Sequence, residues 1–132
     1  MNKEYINSQP EVENKYNVDL LTDEKVIFTP ELDMVGTEKG RLLGISPLVT
    51  LTNQRIIIDN TVGVWTIDIL QDINSCKKAE SGKWIFKRNY LLIDLNNVVE
   101  YDGGKQSLTG FSFYFKKTDT TSLQKIEEIM NH

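Results

Sequence analysis

From about residue 26 onward, apolar and polar positions alternate with the two-residue period of a half-buried β-strand. The pattern predicts strands at 26–28, within 41–52, and at 56–58, 65–69, 91–95 and 111–115. Phe111, Phe113 and Phe115 lie on one face of the last strand, and we expect this row to be in the core. Pro30 and Pro47 predict kinks, bulges or exposed edges, because proline cannot donate a ladder hydrogen bond.

The period changes near the C-terminus, where Leu123, Ile126, Ile129 and Met130 recur at helical spacing. The sequence Thr-Ser-Leu-Gln at 121–124 matches a capping box and predicts the start of this helix. We expect its apolar stripe to be buried beside the row of phenylalanines. Several short strands followed by one helix predict a mainly β fold, a bent antiparallel sheet or small barrel capped by the C-terminal α-helix.

The connections are less regular. Polar residues 52–55 predict a tight connection, and Ser81 and Gly82 predict a hairpin over residues 75–88. Residues 96–110, rich in Asn and Gly, are the least regular stretch. Residues 1–19 are polar and predict an N-terminal arm or a short helix, so that the domain itself spans residues 20–132.

With 132 residues, 39% of them hydrophobic and 26% charged, the chain has the size and composition of one folded domain. Its net charge of −4 disfavours nucleic acid as a partner. Residues 1–40 carry four basic and nine acidic residues, whereas the remainder has a net charge of +1. No apolar run approaches the roughly 18 residues of a membrane span. We expect a cytoplasmic protein, at most peripheral on a membrane.

The octapeptide at residues 51–58, Leu-Thr-Asn-Gln-Arg-Ile-Ile-Ile, resembles the Leu-Thr-Asn-x-Arg signature of the PH-like superfamily, in its GRAM and bacterial PH-domain branches. Residues 21–26 are similar to the start of those domains, and residues 65–73 to a later strand with its Asp-Ile pair. The resemblance covers residues 20–131. It implies a seven-stranded, strongly bent sheet capped by a helix, which binds lipid head groups or protein segments and catalyses no reaction.

The predicted hairpin contains the best candidate binding site. Residues 77–88 have a net charge of +4, and a basic hairpin with an exposed aromatic ring suits an anionic membrane surface. The alternative is an ordinary solvated hairpin whose tryptophan packs inward. The candidate anion- or membrane-binding residues are Lys77, Lys78, Lys83, Trp84, Lys87 and Arg88.

Two other sites are weighed. Many PH domains hold phosphoinositides at the turn that corresponds to residues 36–41, where Lys39 and Arg41 are present here but Glu38 opposes them. Arg55 either faces a ligand or, as we favour, pairs locally with Asp59 or Asp68. Thr52 and Asn53 suit turn hydrogen bonding.

Catalytic, metal and cofactor sites are not predicted. The chain has one Cys, Cys76, and one His, the terminal His132, which is too few for a zinc site or a nucleophile with its base. We therefore expect no enzymatic activity, no catalytic residues and no cofactor. The leading hypothesis is a non-enzymatic PH/GRAM-like module that binds a protein segment or an anionic membrane surface. The alternative is a carrier that holds a small apolar ligand inside the barrel.

Overall fold

The computed structural model describes residues 2–39, 41–60, 63–82, 88–101, 106–119 and 121–132. Its elements follow the chain in the order α1 (Lys3–Ser8), β1 (Val26–Phe28), β2 (Leu32–Thr37), β3 (Leu42–Ile45), β4 (Leu48–Thr52), β5 (Arg55–Asn60), β6 (Gly63–Asp68), α2 (Ile69–Asp72), β7 (Ile73–Ser81), β8 (Arg88–Tyr101), β9 (Gln106–Phe115) and α3 (Ser122–Asn131).

The strands form two antiparallel sheets. The first has the order β1-β4-β5-β6 and the second the order β3-β2-β9-β8-β7. The fold is therefore mainly β with a C-terminal helix, as the alternation predicts. Of the two predicted arrangements, the bent sheet agrees with the structure and the small barrel does not, because the described strands form two separate sheets that do not close into a barrel.

Two prolines lie where the chain passes from one sheet to the other. Pro30 separates β1 from β2, and Pro47 separates β3 from β4. An isolated bridge between Glu31 and Leu48 joins these two corners. Ser46 has a positive φ of 47°, so the second corner also uses an uncommon backbone conformation. Pro30, where a kink or an edge is predicted, and Pro47, where a bulge or an exposed edge is predicted, thus both lie at bends between the sheets.

Aromatic side chains fill the space between the sheets. Phe111, Phe113 and Phe115 are all buried, and the ring of Trp65 on β6 lies edge-on to Phe111 with centroids 5.4 Å apart. Such edge-to-face pairs add to the stabilisation from apolar burial. The predicted row of phenylalanines is confirmed as part of the core.

A short polar chain joins the two sheets at one end. The Nδ2 group of Asn60 donates to the hydroxyl of Tyr101, which in turn donates to the carbonyl of Leu43 at 3.3 Å. The side chain of Asn60 also lies against Gly44, where an added Cβ would be only 2.9 Å from Nδ2. Glycine at this position therefore permits the close approach of β3 and β5.

The predicted apolar stripe of α3 is buried, but the helix begins differently from the prediction. The side chain of Thr121 makes no capping hydrogen bond, so the predicted capping box is wrong. Instead the carboxylate of Asp119 accepts from the backbone N–H groups of Thr121 and Ser122, at 3.1 and 3.0 Å. A carboxylate is a stronger acceptor for these free N–H groups than a hydroxyl.

The side chains of α3 also reach the outer edge of β7. Glu127 accepts a hydrogen bond from the backbone N–H of Lys78 at 2.9 Å. Asn131 donates to the backbone carbonyl of Cys76 at 2.7 Å. These two backbone groups belong to alternate residues of an edge strand, and the helix satisfies both.

Part of the N-terminal segment packs on the domain. Ile6 of α1 is 1% exposed and belongs to the core. Tyr5 stacks on His132 with ring centroids 3.5 Å apart, and its hydroxyl donates to Glu128 at 3.1 Å. Further along, the N–H of Val12 donates to the carbonyl of Val26 at 2.8 Å. The structure therefore contains a short helix over Lys3–Ser8, and residues 9–19 follow it without a further helix or strand.

The irregular stretch predicted at 96–110 is largely β-strand. Residues 96–101 continue β8, and residues 106–110 begin β9. Asparagine is compatible with the strand at positions 96 and 97 because both side chains are exposed. Asn96 donates to the carbonyl of Gln71 at 3.2 Å, and Asn97 donates to the carboxylate of Asp72 at 3.3 Å. Conversely, the predicted strand at 65–69 ends at Asp68, whose side chain caps α2 by accepting from Leu70 and Gln71.

We expect the substitution Phe113→Ala to lower the free energy of unfolding by about 3–5 kcal/mol, because it leaves a cavity in a packed core. Urea denaturation followed by circular dichroism measures the change. Val98→Ala, on an exposed side chain of β8, is the matched control and should change stability by less than about 0.5 kcal/mol. A loss below roughly 1 kcal/mol for Phe113→Ala would contradict its place in the core.

Candidate functional site

The structure describes three of the six candidate membrane-binding residues. Lys77 and Lys78 are exposed on β7, and neither ammonium group has a partner among the described residues. Lys83, Trp84 and Lys87 lie outside the described residues.

Arg88, the sixth candidate, is engaged within the protein. Its guanidinium forms an ion pair with Asp33 and donates to the carbonyl of Phe115 at 2.9 Å. The same group lies over the ring of Tyr114, 5.6 Å from the centroid. These contacts link β8 to β2 and β9, so this arginine has a structural role at the position where the predicted site needs a free cation.

The turn at residues 36–41 combines charges of both signs. The two basic residues, Lys39 and Arg41, are exposed. The acidic residue, Glu38, accepts a hydrogen bond from the hydroxyl of Thr109. The hollow beside this turn has a volume of about 370 Å³. Because a carboxylate lines it together with the two cations, it offers an anion a weaker field than the basic residues alone would produce.

Residues 52–55 form the tight connection from β4 to β5, as predicted. The hydroxyl of Thr52 accepts hydrogen bonds from the N–H groups of Gln54 and Arg55, at 3.0 and 2.9 Å. Asn53 accepts from the N–H of Lys25 at 2.8 Å and donates to the carbonyl of Asp23 at 3.1 Å. The turn is thereby tied to the chain just before β1.

Arg55 pairs with a carboxylate, as favoured, but its partner is Glu24, so the predicted partners Asp59 and Asp68 are wrong. Its Nε and Nη2 donate to the two carboxylate oxygens at 2.8 and 3.0 Å. Both predicted partners are near in sequence, but Glu24 is brought alongside by the pairing of β1 with β4. Such a two-pronged contact matches the planar guanidinium to the carboxylate.

Glu24 is buried and fully hydrogen-bonded. Burial by itself raises the pKa of this carboxyl, but the hydrogen bonds from Arg55, the Leu21 N–H and the Thr52 hydroxyl outweigh burial and hold the pKa below its usual range. Thr52 donates at 2.7 Å and Leu21 at 2.8 Å. A buried carboxylate is stable only when it is paired in this way.

The same arginine positions the N-terminal segment. Its Nη2 donates to the carbonyl of Asp19 at 2.6 Å. Just before that residue, Asn14 closes a compact turn by bonding both the N–H and the carbonyl of Val18, each at 2.9 Å. Residues 14–19 are thus fixed against the outer face of the first sheet.

Between residues 16–19 and this outer face lies a groove of about 290 Å³. Its apolar lining includes Ile57, which is buried, and Leu48 and Val64, which are 42% and 62% exposed. Hereafter "the outer groove" denotes the space lined by Tyr16, Asn17, Val18, Asp19, Leu48, Thr50, Arg55, Ile57, Asp59, Val64 and Thr66.

The sequence analysis missed the outer groove. Thr50 occupies a polar position in the alternation, which predicts exposure, yet it is 1% exposed. Ile57 lies in an apolar run and gave no sign of facing outward. The only signal in the sequence was the apolar pair Tyr16 and Val18 in a mainly polar segment. Their partners on the sheet are more than 25 residues away, beyond the reach of a local pattern.

Several other kinds of site can be assessed on the described residues. Burial, with a smaller contribution from the charge of Glu127, raises the pKa of the Cys76 thiol to about 12, so this cysteine stays protonated and unreactive at neutral pH. The described residues contain no group of three or more Asp, Glu, His or Cys side chains able to hold a metal ion. None of the helices in the described ranges has the length and apolar run needed to cross a bilayer.

Comparison of this chain with protein-family models, with curated proteins and with solved structures gave no match.

We expect the Glu24→Gln variant to be less sensitive to acid than the wild type. Because the pKa of Glu24 is lower in the folded than in the unfolded state, its contribution is present above the unfolded pKa of about 4.3 and is lost as the pH falls through the folded value. At pH 7 the variant should be about 1–3 kcal/mol less stable, since the guanidinium loses its charged partner. This difference should shrink as the pH is lowered below about 4.

Urea denaturation at a series of pH values measures both effects. Glu11→Gln, which neutralises an exposed carboxylate on the N-terminal segment, is the control and should follow the wild-type profile. An unchanged difference between Glu24→Gln and the wild type from neutral to acidic pH would contradict the role assigned to this carboxylate.

Proposed function

We propose that this chain is a cytoplasmic, non-enzymatic binding module of the PH/GRAM-like type, and that it recognises a protein segment in the outer groove. The observation that carries the proposal is the pair of exposed apolar side chains, Leu48 and Val64, beside buried Ile57 on the outer face of a sheet. Exposed apolar surface next to a concave, partly polar lining is typical of interaction sites.

The size of the outer groove favours side chains over a whole cofactor. Its volume of about 290 Å³ is at the lower limit of small-molecule pockets, which span about 300–1,000 Å³. A protein segment can place one or two apolar side chains in such a space and leave its backbone in solvent. The arrangement therefore suits a segment that lies on the sheet face.

Two further observations support the PH/GRAM-like assignment. The chain bends between two antiparallel sheets at Pro30 and Pro47, and α3 packs its apolar stripe into the core.

The filled core disfavours the carrier alternative, because Trp65, Phe111 and Phe113 occupy the space between the sheets. A ligand held inside would have to displace these rings, whereas the outer groove is open to solvent.

Selection from a random peptide library displayed on phage tests this proposal. We expect selected peptides to bind the wild type and to bind Val64→Glu at least about tenfold more weakly, because a charge would be placed in the apolar lining; tenfold corresponds to about 1.4 kcal/mol. Val98→Glu changes a valine of nearly the same exposure outside the groove, 60% against 62%, and should bind like the wild type. Peptides that bind both variants equally well, or a library with no enriched peptides, would contradict the proposal.

An anionic membrane surface is the second candidate, and the exposure of Lys77 and Lys78 on β7 favours it. Each lysine near an anionic bilayer contributes about 1 kcal/mol of attraction. We expect the wild type to sediment with vesicles containing phosphatidylserine at low salt, and the fraction bound to fall at high salt and in the Lys77→Glu, Lys78→Glu double variant. The Lys3→Glu, Lys117→Glu double variant changes the net charge equally and serves as the control. Absence of binding at low salt would exclude this candidate.

A further inference from the structure

The rim of the outer groove carries negative charge that none of the described residues compensates. Asp19 and Asp59 both line the groove, and neither carboxylate has a hydrogen bond or ion pair within the described ranges. Arg55, the one cation among the described lining residues, is already paired with Glu24. Within the described residues the groove therefore combines exposed apolar side chains with two free acids and no free base.

The strand register places one of these acids between the exposed apolar side chains. Asp59 of β5 is directly opposite Leu48 of β4 on one side and Val64 of β6 on the other. Directly opposed residues of an antiparallel pair point to the same face of the sheet, with neighbouring strands about 4.8 Å apart. The outer face thus has a row in the order apolar, acidic, apolar.

We infer that the outer groove selects a protein segment that carries a lysine or arginine flanked by apolar side chains. The inference rests on the proposed function, since it specifies the segment that the groove would bind. The cation would meet Asp59, while its apolar neighbours contact Leu48, Ile57 and Val64. Long basic side chains suit such a row, because their methylene stems pack on apolar surface while the charged end reaches a carboxylate.

The wider charge distribution favours the same partner. Residues 1–40 have a net charge of −5, and the part of this segment at 16–19 forms one wall of the groove. A cleft bordered by charge of one sign raises the local concentration of oppositely charged ligands and speeds their association. The same negative charge repels an anionic lipid surface from this face. The groove and the lysines of β7 therefore suit partners of opposite charge.

The test compares selected peptides on three forms of the full chain. Peptides enriched on the wild type should contain a Lys or Arg next to apolar residues. Replacing that basic residue with Gln should weaken binding to the wild type about two- to fivefold, as expected for a solvent-exposed ion pair, and should have little effect on binding to Asp59→Asn. Glu100→Gln, which neutralises an exposed acid of β8 outside the groove, should behave like the wild type.

Raising the salt concentration gives an independent measurement, because screening weakens an exposed ion pair. The wild-type affinity should fall with salt, and the Asp59→Asn affinity should fall less. Two outcomes would overturn the inference and leave the proposed function in place. The enriched peptides could lack basic residues, or they could show the same preference for a basic residue on Asp59→Asn as on the wild type. Failure to enrich any peptide whose binding depends on Val64 would overturn the proposed function itself.

Discussion

The ion pair between buried Glu24 and half-buried Arg55 is the interaction on which the outer face of the first sheet depends. A carboxylate with no exposed side-chain surface is tolerated only if its charge is neutralised and its oxygens are hydrogen-bonded, and here four donor groups from three residues do so. The guanidinium that neutralises it also holds the carbonyl of Asp19. One ion pair therefore fixes the turn between β4 and β5, the approach to β1 and one wall of the groove.

The bends at Pro30 and Pro47 have a different physical origin but a related effect. Each proline interrupts a ladder where the chain leaves one sheet for the other, and the bridge between Glu31 and Leu48 keeps the two corners together. Pro47 immediately precedes β4. Because successive residues of a strand point to opposite faces, Leu48 lies at the surface beside the groove and Val49 faces the core.

Local patterns were sufficient to predict the elements whose burial is periodic. The alternation that includes Phe111, Phe113 and Phe115 identifies the core face of β9, and the helical spacing that includes Ile126 identifies the core face of α3. In both elements the hydrophobicity of each side chain matches its own burial. The pairing of Arg55 with Glu24 could not be read in this way, because it joins residues 31 apart through strand pairing. The groove was missed for the same reason, since one of its walls is a segment without a periodic pattern.

The contacts between α3 and β7 have a consequence for the behaviour of the protein at high concentration. An edge strand with unpaired backbone groups is a template for intermolecular β-pairing, which leads to domain swapping and aggregation. Glu127 and Asn131 bond the backbone N–H of Lys78 and the backbone carbonyl of Cys76, so these two groups are not free to pair with another strand. The apolar face of α3 thus completes the core, while its polar face covers part of the edge strand β7.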